Sequence, residues 1–415
     1  MLNFIDLFAG AGGLSEGFIR EGFEPIAHVE MKKEACNTLK TRTSYHYLKE
    51  HKNLNIYREY LLSETKNPLD LWSHIPNHLI DSIINKEISD ETIDEIFSAI
   101  DKELDGRTVD IIVGGPPCQA YSIVGRARDP KQMKEDPRNY LFKYYIQFLS
   151  RYRPKMFVFE NVTGLLSANG GKYLRDIFNM AQDAGYELQI PPKKYLNAKD
   201  FDVLQNRKRV IIIGWKKEYN FTYPYFEEKK TSYSIMPDLF CDLPFLNNGE
   251  GTMGLSEYIN NPTDYLLKSK IRNNKSLLTQ HLVRPTNDND LEIYKIAVEM
   301  WNQRKRLNYA ELPSNLIKHN NTKSFTNRFQ VVDGEGLSHT VVAHIAMDGH
   351  YYIHPDIRQN RSISVREAAR IQSFPDDYFF EGSRTAVLRQ IGNAVPVLMA
   401  EGIAKQIKTM LLKTE

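Results

Sequence analysis

Five short apolar runs rich in β-branched and aromatic residues, at 4–8, 24–29, 109–113, 156–159 and 210–214, alternate with segments of helical spacing. Successive parallel strands need a crossover long enough to bring the chain back to the same end, and a helix supplies it. The rhythm therefore predicts an α/β fold with a doubly wound, mostly parallel sheet. In such a sheet, loops at the carboxyl ends of the strands carry ligands and chemistry. Two of these loops stand out. The first run leads into Asp6-Leu7-Phe8-Ala9-Gly10-Ala11-Gly12-Gly13, and the third into Gly114-Gly115-Pro116-Pro117-Cys118-Gln119-Ala120-Tyr121-Ser122.

After Trp215 the rhythm stops and the chain turns aromatic and rich in loop residues, which predicts a boundary there. The expected organisation is one domain from 1–215 plus 385–415 and a second, smaller and irregular domain over 216–384. Within the first, residues 43–107 read as a helical insertion without visible chemistry; Ile93, Ile96, Phe97, Ile100 and Leu104 have the spacing of an amphipathic helix. In the second, a helix is expected over 291–304 and a strand pair across 340–353, turned by Asp348-Gly349. Met399, Ile403, Ile407, Met410 and Leu411 mark one apolar face of a final helix. A tail this short does not fold alone, so the helix should pack back on the first sheet.

The first strand begins almost at Met1, leaving no room for a signal peptide, so a cytoplasmic, reducing location is expected. The net charge of +2 announces no polyanion partner by itself. Lysines and arginines nevertheless cluster at 193–217 and 268–284, where they could meet phosphates or face solvent. The three cysteines, Cys36, Cys118 and Cys241, form no C-x-x-C pair. That removes disulfide-framework and zinc readings, so no metal site is expected.

The first glycine loop does not fit a nicotinamide dinucleotide, because the third fingerprint glycine would fall at Ser15. With Glu30 closing the second strand, where an acid suits a ribose diol, it fits an adenosine-containing cofactor or a tight strand-to-helix turn. Cys118 follows two prolines that stiffen the backbone and precedes polar Gln119 and Ser122, which favours a nucleophile over a small buried hydrophobe. Arg207 and Arg209, alternate residues entering a strand, should share one face.

The segments at 4–18 and 114–122, Glu160-Asn161-Val162, Gln205-Asn206-Arg207-Lys208-Arg209, Arg366-Glu367-Ala368-Ala369-Arg370 with Phe374-Pro375-Asp376, and Gln390-Ile391-Gly392-Asn393-Ala394-Val395-Pro396 together resemble the ordered motifs of the DNA (cytosine-5) methyltransferases. The resemblance implies the fold of the class I S-adenosylmethionine-dependent methyltransferases, with 216–384 as a target-recognition domain. It places S-adenosylmethionine at Gly10, Ala11, Gly12 and Gly13, with Phe8 against adenine, Glu30 on the ribose, and Pro116, Leu141, Asn393 and Val395 nearby. The acid that accepts the adenine amine is not identifiable from sequence.

The implied chemistry is addition of the Cys118 thiolate to carbon 6 of a flipped cytosine, which makes carbon 5 nucleophilic. Glu160 would hold the ring edge, and Arg207 and Arg209 would grip the base carbonyl and flanking phosphates. Gln119, Ser122, Arg126 and Arg128 lie on the segment expected to close over double-stranded DNA. The resemblance further implies a monomeric modification enzyme of a restriction-modification system, with a cognate endonuclease acting separately. A tRNA cytosine-5 methyltransferase shares most of these motifs and is the alternative.

Overall fold

The structure is a computed structural model that describes residues 1–117, 140–318 and 325–413. Cys118, Gln119, Ser122, Arg126 and Arg128 lie outside the described residues.

The strands are β1 (Asn3–Leu7), β2 (Glu24–Glu30), β3 (Ile83–Asn85), β4 (Ile111–Gly114), β5 (Met156–Asn161), β6 (Tyr186–Gln189), β7 (Leu196–Asn197), β8 (Gln205–Asn206), β9 (Lys208–Lys216), β10 (Gly251–Ser256), β11 (Leu278–Leu282) and β12 (Ser338–His339). The main sheet runs β3-β2-β1-β4-β5-β9-β6, with β7 added to β9. β3, β2, β1, β4 and β5 are mutually parallel, while β9 runs antiparallel to β5, β6 and β7. The mostly parallel α/β sheet is therefore present, with one antiparallel strand near its edge.

Alternation along the strands sorts the core onto two faces. Ile5, Leu7, Ile112, Phe157 and Phe159 pack against the helices Ile93–Leu104, Leu141–Tyr152 and Lys172–Asp183. Phe4, Ile111, Val113, Val158 and Ile211 face the helices Gly13–Arg20 and Val397–Leu411. Met399, Ile403, Ile407, Met410 and Leu411 are all buried there, so the final helix does return to the first sheet. The approach is close: a Cβ on Gly17 would lie 2.4 Å from Ala400.

Two expectations need correction. Residues 43–107 are not simply an insertion, because the helix Lys33–Glu50 runs through position 43 without a break. The segment also contributes β3 and the amphipathic helix Ile93–Leu104, which are regular parts of the sheet and its cover. β3 has three residues and a mixed burial pattern, so no periodicity announces it. The strand pair across 340–353 is also absent. Val341 N–H donates to the Gln205 side chain (2.9 Å) and Val342 N–H to the Tyr352 hydroxyl (3.0 Å), so side chains take the partners a hairpin would use. A short helical turn, Ala343–Ala346, forms instead, and β12 pairs with β8.

The helix expected over 291–304 is present as Asp288–Asn302, with its own apolar cluster around Ile293, Tyr294, Leu312 and Phe329. Residues 365–380 pack with Ala11 and Ala394, against the glycine loop.

Candidate active site

The order of the sheet brings four strand ends together. The chain moves outward from β1 through β2 to β3, then returns to the other side of β1 as β4, which opens a crevice at the switch point. In register, Leu7 faces Gly114 and Gly114 faces Phe159. A Cβ on Gly114 would lie 2.3 Å from the Leu7 carbonyl, so only glycine permits this approach.

On one side of the crevice stands the glycine loop. Phe8 leaves β1 with φ +58°, a left-handed conformation uncommon for an aromatic residue, and Gly12 follows at φ +77° before the helix Gly13–Arg20. The Glu30 carboxylate accepts from the N–H of Gly10 (2.9 Å) and of Lys32 (2.8 Å), which fixes the acid against the loop. Burial pushes its pKa up, and those two N–H groups pull it back. Beneath the loop, Ser15 donates its hydroxyl to Asp6, a fully buried acid that burial pushes up to about 7.

The carboxyl-terminal motif closes this side. A Cβ on Gly13 would lie 2.3 Å from the Val395 carbonyl, so the loop and residues 393–395 touch. Asn393 ends the helix Arg384–Asn393 and is exposed, whereas Val395 is buried. Pro116 is buried at the end of β4, and Leu141 opens the helix Leu141–Tyr152. Asn85, at the end of β3, donates to the carbonyls of Glu30 (3.1 Å) and Met31 (3.0 Å) and so belongs to the same rim.

On the other side lies Glu160. Its Oε1 is 2.8 Å from Arg209 Nε, an ion pair whose approach is close without the alignment of a hydrogen bond. Its Oε2 lies where Gly115 has no side chain; a Cβ there would be 2.7 Å away. Arg209 arrives at this edge because β9 runs antiparallel to β5, so its first residues meet the end of β5. Burial works against the Arg209 charge and the Glu160 carboxylate offsets it.

Arg207 departs from the expectation that both arginines grip substrate. It is 1% exposed, and its guanidinium donates to the carbonyls of Val341, Ala394 (2.9 Å) and Gly392 (3.4 Å). A cation buried this deeply needs such acceptors, and two backbone segments, at Val341 and at 392–394, supply them. Arg207 thus joins β8 and β9 to the carboxyl-terminal motif.

Sequence reasoning missed the residues that position others. Asn161 Nδ2 donates to the Pro116 carbonyl (3.1 Å), two residues before Cys118, while its Oδ1 accepts from Val162 N–H (2.9 Å). Gln205 donates to Gln372 (2.8 Å), which donates to the carbonyls of Ile391 (2.6 Å) and Ala394 (3.1 Å). Asn161 and Gln205 sat inside conspicuous motifs; Gln372 carried no signal.

The sequence pattern of the C-5 cytosine-specific DNA methylases matches residues 2–67 and 76–409. Type II methyltransferase M.Bpa9945I of Bacillus paralicheniformis is 41% identical over 440 residues, covering 98% of this chain and 98% of its own. Type II methyltransferase M1.HphI of Haemophilus parahaemolyticus is 31% identical, covering 99% of this chain and 87% of its own. A solved prophage-encoded Escherichia coli protein, described as a candidate DNA modification methyltransferase, shares the fold. Its TM-score is 0.61 at 23% identity, over 99% of this chain and 100% of that one. The family match runs almost from end to end, and the chain belongs to the C-5 cytosine-specific DNA methylases: it is a DNA (cytosine-5)-methyltransferase.

Proposed function

We propose that the enzyme methylates one cytosine within a specific double-stranded DNA sequence, as the modification half of a type II restriction-modification system. The observation that carries the catalytic assignment is the joint placement of Glu160 and of the chain leading to Cys118. Asn161 holds the Pro116 carbonyl, and Glu160 lies over Gly115 against Arg209.

In this reading Cys118 adds as a thiolate to carbon 6 of the flipped base, and the electron pair moves to carbon 5. Glu160 holds the ring edge through N3 and the exocyclic amine. Arg209 orients Glu160 and supplies positive charge near the thiolate. After carbon 5 takes up the methyl group, loss of its proton returns the electron pair and expels the cysteine.

S-adenosylmethionine supplies the electrophilic methyl group when bound. Phe8, the 10–13 loop, Glu30, Pro116, Leu141, Asn393 and Val395 would hold it, and their convergence on the crevice fits an elongated adenosine ligand. Residues 216–384 would read the target in the major groove, with Gln119, Ser122, Arg126 and Arg128 contacting DNA beside the flipped base. The enzyme would act as a monomer, with its endonuclease partner acting separately. Among the described residues no helix is long and apolar enough to cross a membrane.

Relatives named as type II methyltransferases favour DNA over tRNA. Incorporation of labelled methyl groups into duplex DNA and into tRNA, measured side by side, tests this. Label in DNA supports the reading, and label confined to tRNA overturns it.

A further inference from the structure

We infer that Tyr378 is a positioning residue for the cofactor loop, holding from behind the backbone that faces S-adenosylmethionine. Tyr378 is 1% exposed and lies far from Glu160 in sequence and role. Its hydroxyl donates to the Ala11 carbonyl, at the centre of the glycine loop. The contact is shaped to the loop: a Cβ on Gly12 would lie 2.9 Å from that same hydroxyl, and a Cβ on Gly13 would lie 3.2 Å from the Phe374 ring. Phe374 and Tyr378 meet edge to face with ring centroids 4.8 Å apart, so the two aromatics form one wall behind residues 11–13.

The residue beside Tyr378 grips the next turn. Asp377 accepts from Arg42 (2.9 Å), and the same guanidinium donates to both oxygens of Glu16, in the first turn of the helix that follows the loop. Arg42 also lies over the Tyr378 ring, 4.7 Å from its centroid. The pair 377–378 therefore holds the loop at a carbonyl and the helix start at a carboxylate.

The wall is itself anchored away from the loop. Asp376 receives both a 3.0 Å and a 2.6 Å hydrogen bond from Arg370, which also donates to Asp242 (2.6 Å). A loop whose glycines permit many shapes is thus pressed into one shape by a rigid neighbour, and pre-organisation of this kind raises affinity by removing an ordering cost.

The inference rests on the reading of the 10–13 loop as the cofactor site. Calorimetric titration with S-adenosylhomocysteine tests both, on wild type, Tyr378→Phe and Tyr45→Phe. Tyr45 is the control: its hydroxyl donates to the Asp377 carboxylate (2.6 Å) in the same cluster, rather than to a backbone carbonyl of the loop. Tyr378→Phe keeps the ring and should bind about tenfold more weakly, with kcat at saturating cofactor within about twofold of wild type. Tyr45→Phe should bind as wild type does, although both variants lose one buried hydroxyl and should melt lower by similar amounts. Wild-type affinity in Tyr378→Phe, or equal weakening in both variants, overturns the positioning role. Absence of binding to the wild-type protein overturns the cofactor-site reading itself.

Discussion

At the ends of β1 and β2 the crevice is made largely of backbone: the close-packed Gly12 and Gly13, the N–H of Gly10 turned to Glu30, and a wall of aromatic side chains behind. At the end of β5 and the start of β9 it is made of charged side chains, Glu160 against Arg209, with Arg207 buried beneath on carbonyls. The first region suits a ligand bound in every turnover in one pose. In the second, the proposed mechanism has a charge pair exchange partners when a base enters, so changes there should fall on the reaction more than on cofactor binding.

The sharpest break between the regions should come from Cys118→Ser, which should abolish methyl transfer while S-adenosylhomocysteine affinity stays within about twofold, since an alcohol is a far weaker nucleophile than a thiolate. Glu160→Gln should lower kcat by about 10² to 10⁴-fold with the same unchanged affinity, the range typical of a lost acid–base group. Single-turnover rates beside calorimetry check both, and a large loss of cofactor affinity in either variant would erase the distinction.

The two arginines sharpen the comparison within the substrate side. Arg207→Ala strips carbonyls of their donor and should cost roughly 2 to 5 kcal/mol of stability, seen in denaturant midpoints. Arg209→Ala should melt closer to wild type yet lose activity. Equal stability losses would return Arg207 to the substrate-gripping role expected from sequence.

Glu30→Ala should weaken cofactor binding by about 10 to 100-fold, through loss of one charge-assisted hydrogen bond to the ribose. The methylated sequence should stay the same, as bisulfite reads of the variant would report.

The smallest effect concerns Asp6, whose folded pKa is raised from 3.8 to about 7, chiefly by burial. Between about pH 4 and pH 7 the folded chain holds a proton that the unfolded chain has released, so this group's contribution to stability falls as pH rises through that window. Asp6→Asn removes the titration. Its stability relative to wild type should therefore improve from about pH 4 to about pH 8, by on the order of 1 to 3 kcal/mol. A constant difference across that range would place the Asp6 pKa near its ordinary value.

Strands β1, β2, β4, β5 and the antiparallel β9 were legible because strands buried on both faces of a sheet write continuous apolar runs. The final helix was legible through its three-and-four spacing. β3 was not, since three residues give no period, and the supposed hairpin at 340–353 failed because side chains, Gln205 from a distance in sequence and Tyr352 from within the segment, take its hydrogen bonds. The same limit governs the site. Gly10, Glu30 and Glu160 sit at strand ends, where position alone suggests a role. Arg207 looked identical to Arg209 in sequence, yet only the fold shows that three carbonyls converge on it. Gln372 and Tyr378 act through backbone groups, which leave no mark on residue type.

The central claim, that this crevice methylates carbon 5 of cytosine at one DNA sequence, is tested most directly by bisulfite sequencing. DNA would be taken from a host without cytosine methylation, expressing either the wild-type protein or Cys118→Ser. The account predicts protected cytosines at a single position of one recurring sequence with wild type and none with Cys118→Ser. Unprotected DNA from wild-type cells, or protection that survives Cys118→Ser, would contradict it.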